Sequence, residues 1–164
     1  MSLEPYDKGT GTRHKAREAA LQMLFARDMA GAARKDLAKD YWNELGDETY
    51  DERTREFANA LAIGTLDNIE AIDATIKTRA EHWRIERMAF VDRNVLRLAV
   101  FEFLFFDTPD TVAINEALEL ARKYSSYEAT QFINGVLDAI RQDILNRSKD
   151  NESGEVSTTT SASS

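Results

Sequence analysis

Apolar residues recur every three or four positions over most of the 164-residue chain, which is the spacing of amphipathic helices. In the first such segment, 12–30, Leu21, Phe25 and Met29 fall four residues apart, with Ala20 and Leu24 beside them, and this stripe is predicted to face the core. The chain has only 2 prolines and 7 glycines, so little interrupts these segments. The pattern predicts an all-α fold whose first helix ends at Gly31.

Two more helical segments follow in the first half of the chain. The spacing predicts a short helix over 36–45, with Asp36 as a candidate N-cap and Gly46 as its stop. It also predicts one longer helical element over 50–78. Gly64 lies in the middle of that element, where it allows either a close helix contact or a bend.

The second half of the chain contains three further predicted helices. The segment 90–106 has almost no polar face, so this helix is predicted to be buried nearly all round. A turn around Pro109 separates it from a helix that ends near Tyr124. Ser125 and Glu128 have the spacing of a capping box, which predicts the start of a last helix running to about Arg147.

These segments make one bundle of about seven helices, because no repeat of fixed period is present. The predicted organisation is a flexible N-terminus over 1–11, a helical domain over 12–147 and a tail over 148–164. The tail is rich in Ser and Thr and has few apolar residues, so it is predicted to be disordered.

Composition excludes several classes of chemistry. The chain has no cysteine, which rules out disulfides, thiolate metal sites and a cysteine nucleophile and favours a cytoplasmic protein. No apolar run is long enough to cross a membrane or to serve as a signal segment. A net charge of −8 opposes general adhesion to nucleic acid, so any surface that binds anions has to be local.

Catalytic motifs are absent from the sequence. His14 and His82 lack metal-ligand spacing, and neither a P-loop nor a Gly-rich dinucleotide motif occurs. We therefore expect no enzyme activity, no metal site and no cofactor.

Polar residues interrupt the apolar segments at three places, which are Arg97, the pair Asn115–Glu116 and the pair Asn134–Gly135. Unpaired burial of such groups costs about 1–3 kcal/mol each, so they are predicted to bond to one another or to helix ends. Gly135 is predicted to mark a close approach of two helices.

A basic cluster opens the first helix, although the chain as a whole is acidic. It consists of Arg13, His14, Lys15 and Arg17. Arg13 and Arg17 are four residues apart, so they share a helix face from which both could reach phosphates. The alternative is a solvated helix terminus without a ligand.

Four blocks in this order, RHKAREAALQMLF, VDRNVLRLAVFEF, VAINEALELARKY and FINGVLD, closely resemble the NusB family of bacterial transcription antitermination factors. The resemblance covers roughly residues 12–146. It implies two small helical subdomains packed together and no catalysis. It also implies binding to the boxA element of ribosomal RNA leader transcripts, together with the ribosomal protein NusE, in the transcription elongation complex.

The resemblance also implies which residues form the binding surfaces. The first RNA contact is the basic cluster, in which His14 stands where the family commonly has Arg or Lys. A second RNA contact is expected around the start of the last helix, at Lys123, Tyr124, Glu128 and Gln131, with Phe132 in the core. Phe25 and Asp92 are expected to bind the partner protein, and Phe25 replaces a frequent Tyr.

Two other functions are compatible with the same helices. One is a module that binds only protein and whose basic start is incidental. The other is a stand-alone relative of the RNA-binding domain of ribosomal RNA methyltransferases. RNA binding by the chain or by its complex separates these possibilities.

Overall fold

The computed structural model describes residues 12–31, 34–44, 50–80 and 84–160, and within these ranges it is built of helices without strands. The α-helices are α1 (Thr12–Ala30), α2 (Arg34–Glu44), α3 (Glu52–Asp67), α4 (Ile69–Lys77), α5 (Phe90–Phe105), α6 (Asp110–Tyr124) and α7 (Tyr127–Thr160). A short 3₁₀ helix, Ile85–Arg87, precedes α5. The all-α prediction is confirmed.

One cluster of buried apolar side chains joins the helices. In the first half of the chain α1 packs chiefly on α3, and in the second half α6 packs on both α5 and α7. Helix α5 also contacts α1, α3 and α4, so it lies between the two halves. Every residue from Asn94 to Glu102 is buried, which confirms the prediction of a helix enclosed nearly all round.

Helix α1 has the predicted bounds but a different core face. Gly31 ends it with a φ of 65°, and its N–H donates to the carbonyl of Arg27 at 2.7 Å. Leu21 is buried as predicted, whereas Phe25 is 38% exposed and Met29 is 63% exposed. The predicted stripe is therefore wrong at Phe25 and Met29 but right at Ala20 and Leu24, which lie against the core together with Ala16, Ala19 and Met23.

The predicted element over 50–78 consists of two helices. The break is at Asn68, whose side-chain amide donates to the carbonyl of Gly64 at 2.8 Å. Gly64 itself makes the close contact, since a Cβ on this residue would overlap the ring of Phe101 in α5. Of the two alternatives for Gly64, the structure therefore has the close helix contact, and the break between helices lies four residues later, at Asn68.

Helix α2 begins before the predicted position. It starts at Arg34, so Asp36 lies in its first turn and is not the N-cap. A carboxylate there still faces the positive end of the helix dipole. The predicted stop at Gly46 lies outside the described residues.

The N-cap of α7 also differs from the prediction. Ser126 is the cap, because its Oγ accepts a hydrogen bond from the Ala129 N–H at 3.0 Å. Ser125 instead donates its hydroxyl to Asp92 Oδ1. The capping box of Ser125 and Glu128 is therefore wrong.

Helix α7 continues to Thr160, well beyond the predicted end near Arg147. Residues 148–153 are helical and exposed, so the helix extends into the segment for which the sequence predicts a disordered tail. Once a helix has formed, each added residue gains a backbone hydrogen bond at modest entropic cost, without burying apolar surface. The predicted flexible residues 1–11 and the last four residues, 161–164, lie outside the described part of the chain.

The three polar interruptions have different environments. Arg97 forms two hydrogen bonds to Asp73, at 2.8 and 3.0 Å, and Glu116 accepts from His14 at 2.9 Å. Asn115 and Asn134 are exposed. A Cβ on Gly135 would meet no atom within 4 Å, so the predicted helix approach there is wrong.

Candidate nucleic-acid interface

The basic cluster of α1 is divided between the surface and the interior. Arg13 and Lys15 are exposed, and neither forms an ion pair within the described part of the chain. The Arg13 guanidinium lies 5.2 Å from the centre of the Phe57 ring. Lys15 lies near Asp51, whose pKa is lowered first by hydrogen bonds from Thr54 and further by this charge. These two cations remain available to an anionic ligand.

Arg17 is not available, which corrects its prediction as an RNA contact. It is 2% exposed and forms a forked pair with Glu102, with Nε–Oε2 at 3.0 Å and Nη2–Oε1 at 2.6 Å. Thr108 donates its hydroxyl to the same carboxylate at 2.8 Å. Although Arg13 and Arg17 both lie over the Phe57 ring, Arg17 is one turn further into the core.

His14 and Lys123 meet at one acidic residue. Glu18 Oε1 is 3.2 Å from His14 Nε2 and 2.9 Å from Lys123 Nζ. The other ring nitrogen of His14 is 2.9 Å from Glu116 Oε2. We call His14, Glu18, Glu116 and Lys123 the Glu18 cluster. It joins the start of α1 to the end of α6, so two predicted RNA contacts from distant parts of the sequence become neighbours.

The rest of the second predicted patch lies on both sides of the turn between α6 and α7. Tyr124 is partly buried, its hydroxyl is 3.4 Å from Gln22 Nε2, and the Lys123 ammonium lies 5.4 Å from its ring centre. Glu128 and Gln131 are exposed on α7, and Phe132 packs against the core as predicted. Gln131 donates a hydrogen bond to the hydroxyl of Tyr127.

A shallow cavity between α6 and α7 extends this patch. Its volume is about 410 Å³, and it is lined by Leu118, Arg122, Tyr127, Thr130, Gln131 and Asn134. Tyr127 is 77% exposed, which leaves a large aromatic face in solvent. Sequence reasoning missed Tyr127 and Arg122 as candidates. The available signal was the aromatic residue at the start of α7, next to the candidates Glu128 and Gln131.

The predicted partner surface contains an aromatic pair. The exposed ring of Phe25 meets Phe90 edge to face, with ring centres 6.1 Å apart. Arg93 covers the other part of Phe90 at 4.4 Å and is itself bound to Asp28, Nη2 to Oδ2, at 3.2 Å. The start of α5 is therefore fixed to the end of α1 by both apolar and ionic contacts.

Asp92 connects the partner surface to the second RNA patch. Its carboxylate accepts the hydroxyl of Ser125, which follows Lys123 and Tyr124 at the end of α6. Phe25 and Asp92 both belong to the region where α1 meets the start of α5. The two predicted surfaces are thus continuous with each other.

Among the residues that the structure describes, no group of three His, Asp or Glu side chains is placed to hold a metal ion. None of the helices in the described ranges combines the length and apolar character needed to cross a membrane.

Comparison with solved structures defines the class of protein. The fold is similar to that of NusB from T. maritima, with a TM-score of 0.72 and 37% sequence identity over 79% of this chain and 90% of that chain. It is also similar to a chain in a crystal structure of the antitermination factors NusB and NusE in complex with double-stranded RNA. There the TM-score is 0.71 and the identity 31%, covering 80% of this chain and 97% of that chain. The fold is that of a transcription antitermination factor.

Sequence comparison gives the family. The model of the NusB family matches residues 14–142. The transcription antitermination protein NusB of Koribacter versatilis is 50% identical over 136 residues, which is 82% of this chain and 92% of the relative. The chain belongs to the NusB family.

Proposed function

We propose that this chain is a transcription antitermination factor that binds boxA-type single-stranded RNA of ribosomal leader transcripts together with the ribosomal protein NusE. It would act in the cytoplasm as part of the transcription elongation complex. The observation that supports this most directly is the continuity of the two predicted surfaces through the bond between Ser125 and Asp92. A ligand on one surface would lie beside a partner on the other.

The proposed RNA surface has cations at one end and aromatic and amide groups at the other. Arg13 and Lys15 would contact phosphates, with Lys123 as a third contact. Tyr127 would stack on an unpaired base, and Gln131 could hydrogen-bond a base edge, as is common in recognition of single-stranded RNA. Arg17 is excluded from this set because it is buried.

The proposed partner surface consists of Phe25, Phe90 and Asp92. An aromatic pair beside a carboxylate suits a basic ribosomal protein, since the rings supply apolar contact and the charge opposes that of the partner. A net charge of −8 also favours approach of a basic protein at long range.

The number of cations limits the affinity for RNA alone. If Arg13, Lys15 and Lys123 neutralise three phosphates, log affinity falls with log salt at a slope of about −2, or roughly 18-fold between 50 and 200 mM salt. Three phosphate contacts alone give weak binding to RNA. A partner that adds its own RNA surface would strengthen it by raising the effective concentration of the second contact.

Fluorescence anisotropy tests the proposal with three labelled RNAs. These are a boxA-like single strand, a scrambled strand of the same composition, and a duplex form of the boxA-like RNA. Each is titrated with and without purified NusE. The variant is Arg13→Ala/Lys15→Ala, and the control is Lys77→Ala/Arg84→Ala, which removes the same charge from exposed positions between α4 and α5.

We expect boxA-like RNA to bind better than the scrambled strand, more tightly with NusE, and at least tenfold more weakly in the Arg13→Ala/Lys15→Ala variant than in the control. Binding of NusE without RNA preference would instead support the protein-only module. Preference for the duplex would contradict the single-stranded part of the proposal.

A further inference from the structure

The carboxylate of Glu18 occupies the position that an RNA phosphate would need at Lys123. Its Oε1 is 2.9 Å from the Lys123 ammonium, which is the distance of a charge-assisted hydrogen bond. The Lys123 side chain is 56% exposed and the Glu18 side chain only 13%, so the carboxylate is held while the ammonium is open to solvent. Glu18 also holds His14, whose other nitrogen contacts Glu116.

We propose that Glu18 competes with RNA phosphate for Lys123 and thereby limits the affinity of this surface for RNA of any sequence. The inference rests on the RNA-binding function proposed above. A phosphate that approaches Lys123 must either displace the carboxylate or share the ammonium with it. In both cases the phosphate also meets the negative charge of Glu18.

Arg13 and Lys15 provide the contrast. They belong to the same end of α1, are exposed, and form no ion pair among the described residues, although Lys15 lies in the field of Asp51. The surface therefore has two cations that form no ion pair among the described residues, Arg13 and Lys15, and one that is paired with a carboxylate, Lys123. The hydrogen bond from Lys123 to Glu18 also raises the pKa of the ammonium, so Lys123 keeps its charge at neutral pH.

The consequence of this competition is a lower affinity for every RNA, with the preference between RNAs unchanged. Phosphate contacts are independent of sequence, whereas contacts to bases carry the sequence information. A carboxylate that weakens one phosphate contact therefore lowers binding to all RNAs by the same factor, and RNAs that are held by phosphate contacts alone are occupied less at a given concentration.

A double-mutant cycle tests the inference with the full-length chain. The proteins are wild type, Glu18→Gln, Lys123→Gln and the double variant, each titrated with boxA-like and scrambled RNA at several salt concentrations. Glu86→Gln is the matched control, because Glu86 is exposed and pairs with Lys77 at 3.7 Å, so this variant also removes one negative charge and releases one lysine. Circular dichroism melting checks that every variant is folded.

We expect Glu18→Gln to bind both RNAs about two- to fivefold more tightly than wild type, which is the range for release of one exposed ion pair. The slope of log affinity against log salt should steepen by up to about 0.7, because one more phosphate is neutralised. The gain should disappear in the Lys123→Gln background, and Glu86→Gln should show no comparable gain.

Three results would overturn the inference while leaving the proposed function intact. They are a gain no larger than that of Glu86→Gln, a gain that persists without Lys123, and a loss of affinity in Glu18→Gln. If wild-type protein binds none of the RNAs even with NusE, the proposed function fails and this inference fails with it.

Discussion

Replacement of Arg17 by methionine is expected to destabilise the fold, because it leaves a carboxylate uncompensated in the interior. Arg17 and Glu102 are each 2% exposed. The guanidinium donates to both carboxylate oxygens, and in its absence the Thr108 hydroxyl is the only donor left to Glu102 among the described residues. Methionine preserves most of the volume of the side chain, so loss of packing contributes little.

The expected cost follows from the burial of the pair. Breaking a buried ion pair by removing one partner costs about 3–5 kcal/mol, whereas replacing both partners with apolar residues of similar size is often neutral. For a domain of this size, about 2–4 °C is lost per kcal/mol, so the melting temperature should fall by about 6–20 °C. In Arg17→Met/Glu102→Met most of this loss should be recovered.

Urea unfolding followed by circular dichroism measures the effect. The single variant should show a lower midpoint at an unchanged m-value, and the double variant a midpoint closer to wild type. A loss below 1 kcal/mol in Arg17→Met, combined with weaker RNA binding by the folded protein, would refute this reasoning and return Arg17 to the set of RNA contacts.

Three further predictions concern other parts of the molecule. Gly64→Ala is expected to lower the free energy of unfolding by about 1–3 kcal/mol, because the added methyl group overlaps the Phe101 ring, and urea unfolding measures it. The pKa of Tyr41 is raised from 10.0 to about 12, chiefly because the side chain is buried. The unfolded chain therefore loses this proton first, so the free energy of unfolding should fall between pH 10 and 12 by up to about 1.4 kcal/mol per pH unit. Stability measurements across that range, with ultraviolet titration of tyrosinate, test this against Tyr41→Phe. Phe25→Ala should weaken NusE binding about tenfold or more in calorimetry, since exposed aromatic residues often dominate interfaces.

Each of these predictions has its own contrary result. Gly64→Ala with wild-type stability would mean that Phe101 can move away at no cost. An equal loss of stability above pH 10 in wild type and Tyr41→Phe would assign the effect to other groups. Unchanged affinity for NusE in Phe25→Ala would remove that ring from the partner surface.

Local patterns were sufficient to predict most helices. The bounds of α1 follow from the unbroken segment after Thr12 and from Gly31, both of which are visible in the sequence. The enclosed helix α5 could be predicted for the same reason, because a segment without a polar face has to be buried on all sides.

The site was harder to predict because its contacts join distant residues. From the sequence, Arg17 is predicted to be an exposed cation. Its buried partner, Glu102, lies 85 positions later, and local spacing does not indicate that the two residues meet. The contact between Glu18 and Lys123 spans 105 positions, so it could not be predicted from the sequence pattern either. Phe25 fits a core stripe by spacing alone, and only the packing of α1 on α3 shows that this part of the helix faces outward.

The ionic contacts of α1 have a consequence for synthesis of the chain. In helix α1, Arg17 pairs with Glu102, Asp28 with Arg93, and Glu18 with Lys123, so its ionic partners are synthesised much later than the helix itself. At about 5–20 residues per second, the gap between Arg17 and Glu102 lasts on the order of 4–17 s. Helix α1 therefore cannot complete its native contacts as it is made, and folding of the domain is completed only after α5 and α6 have been synthesised.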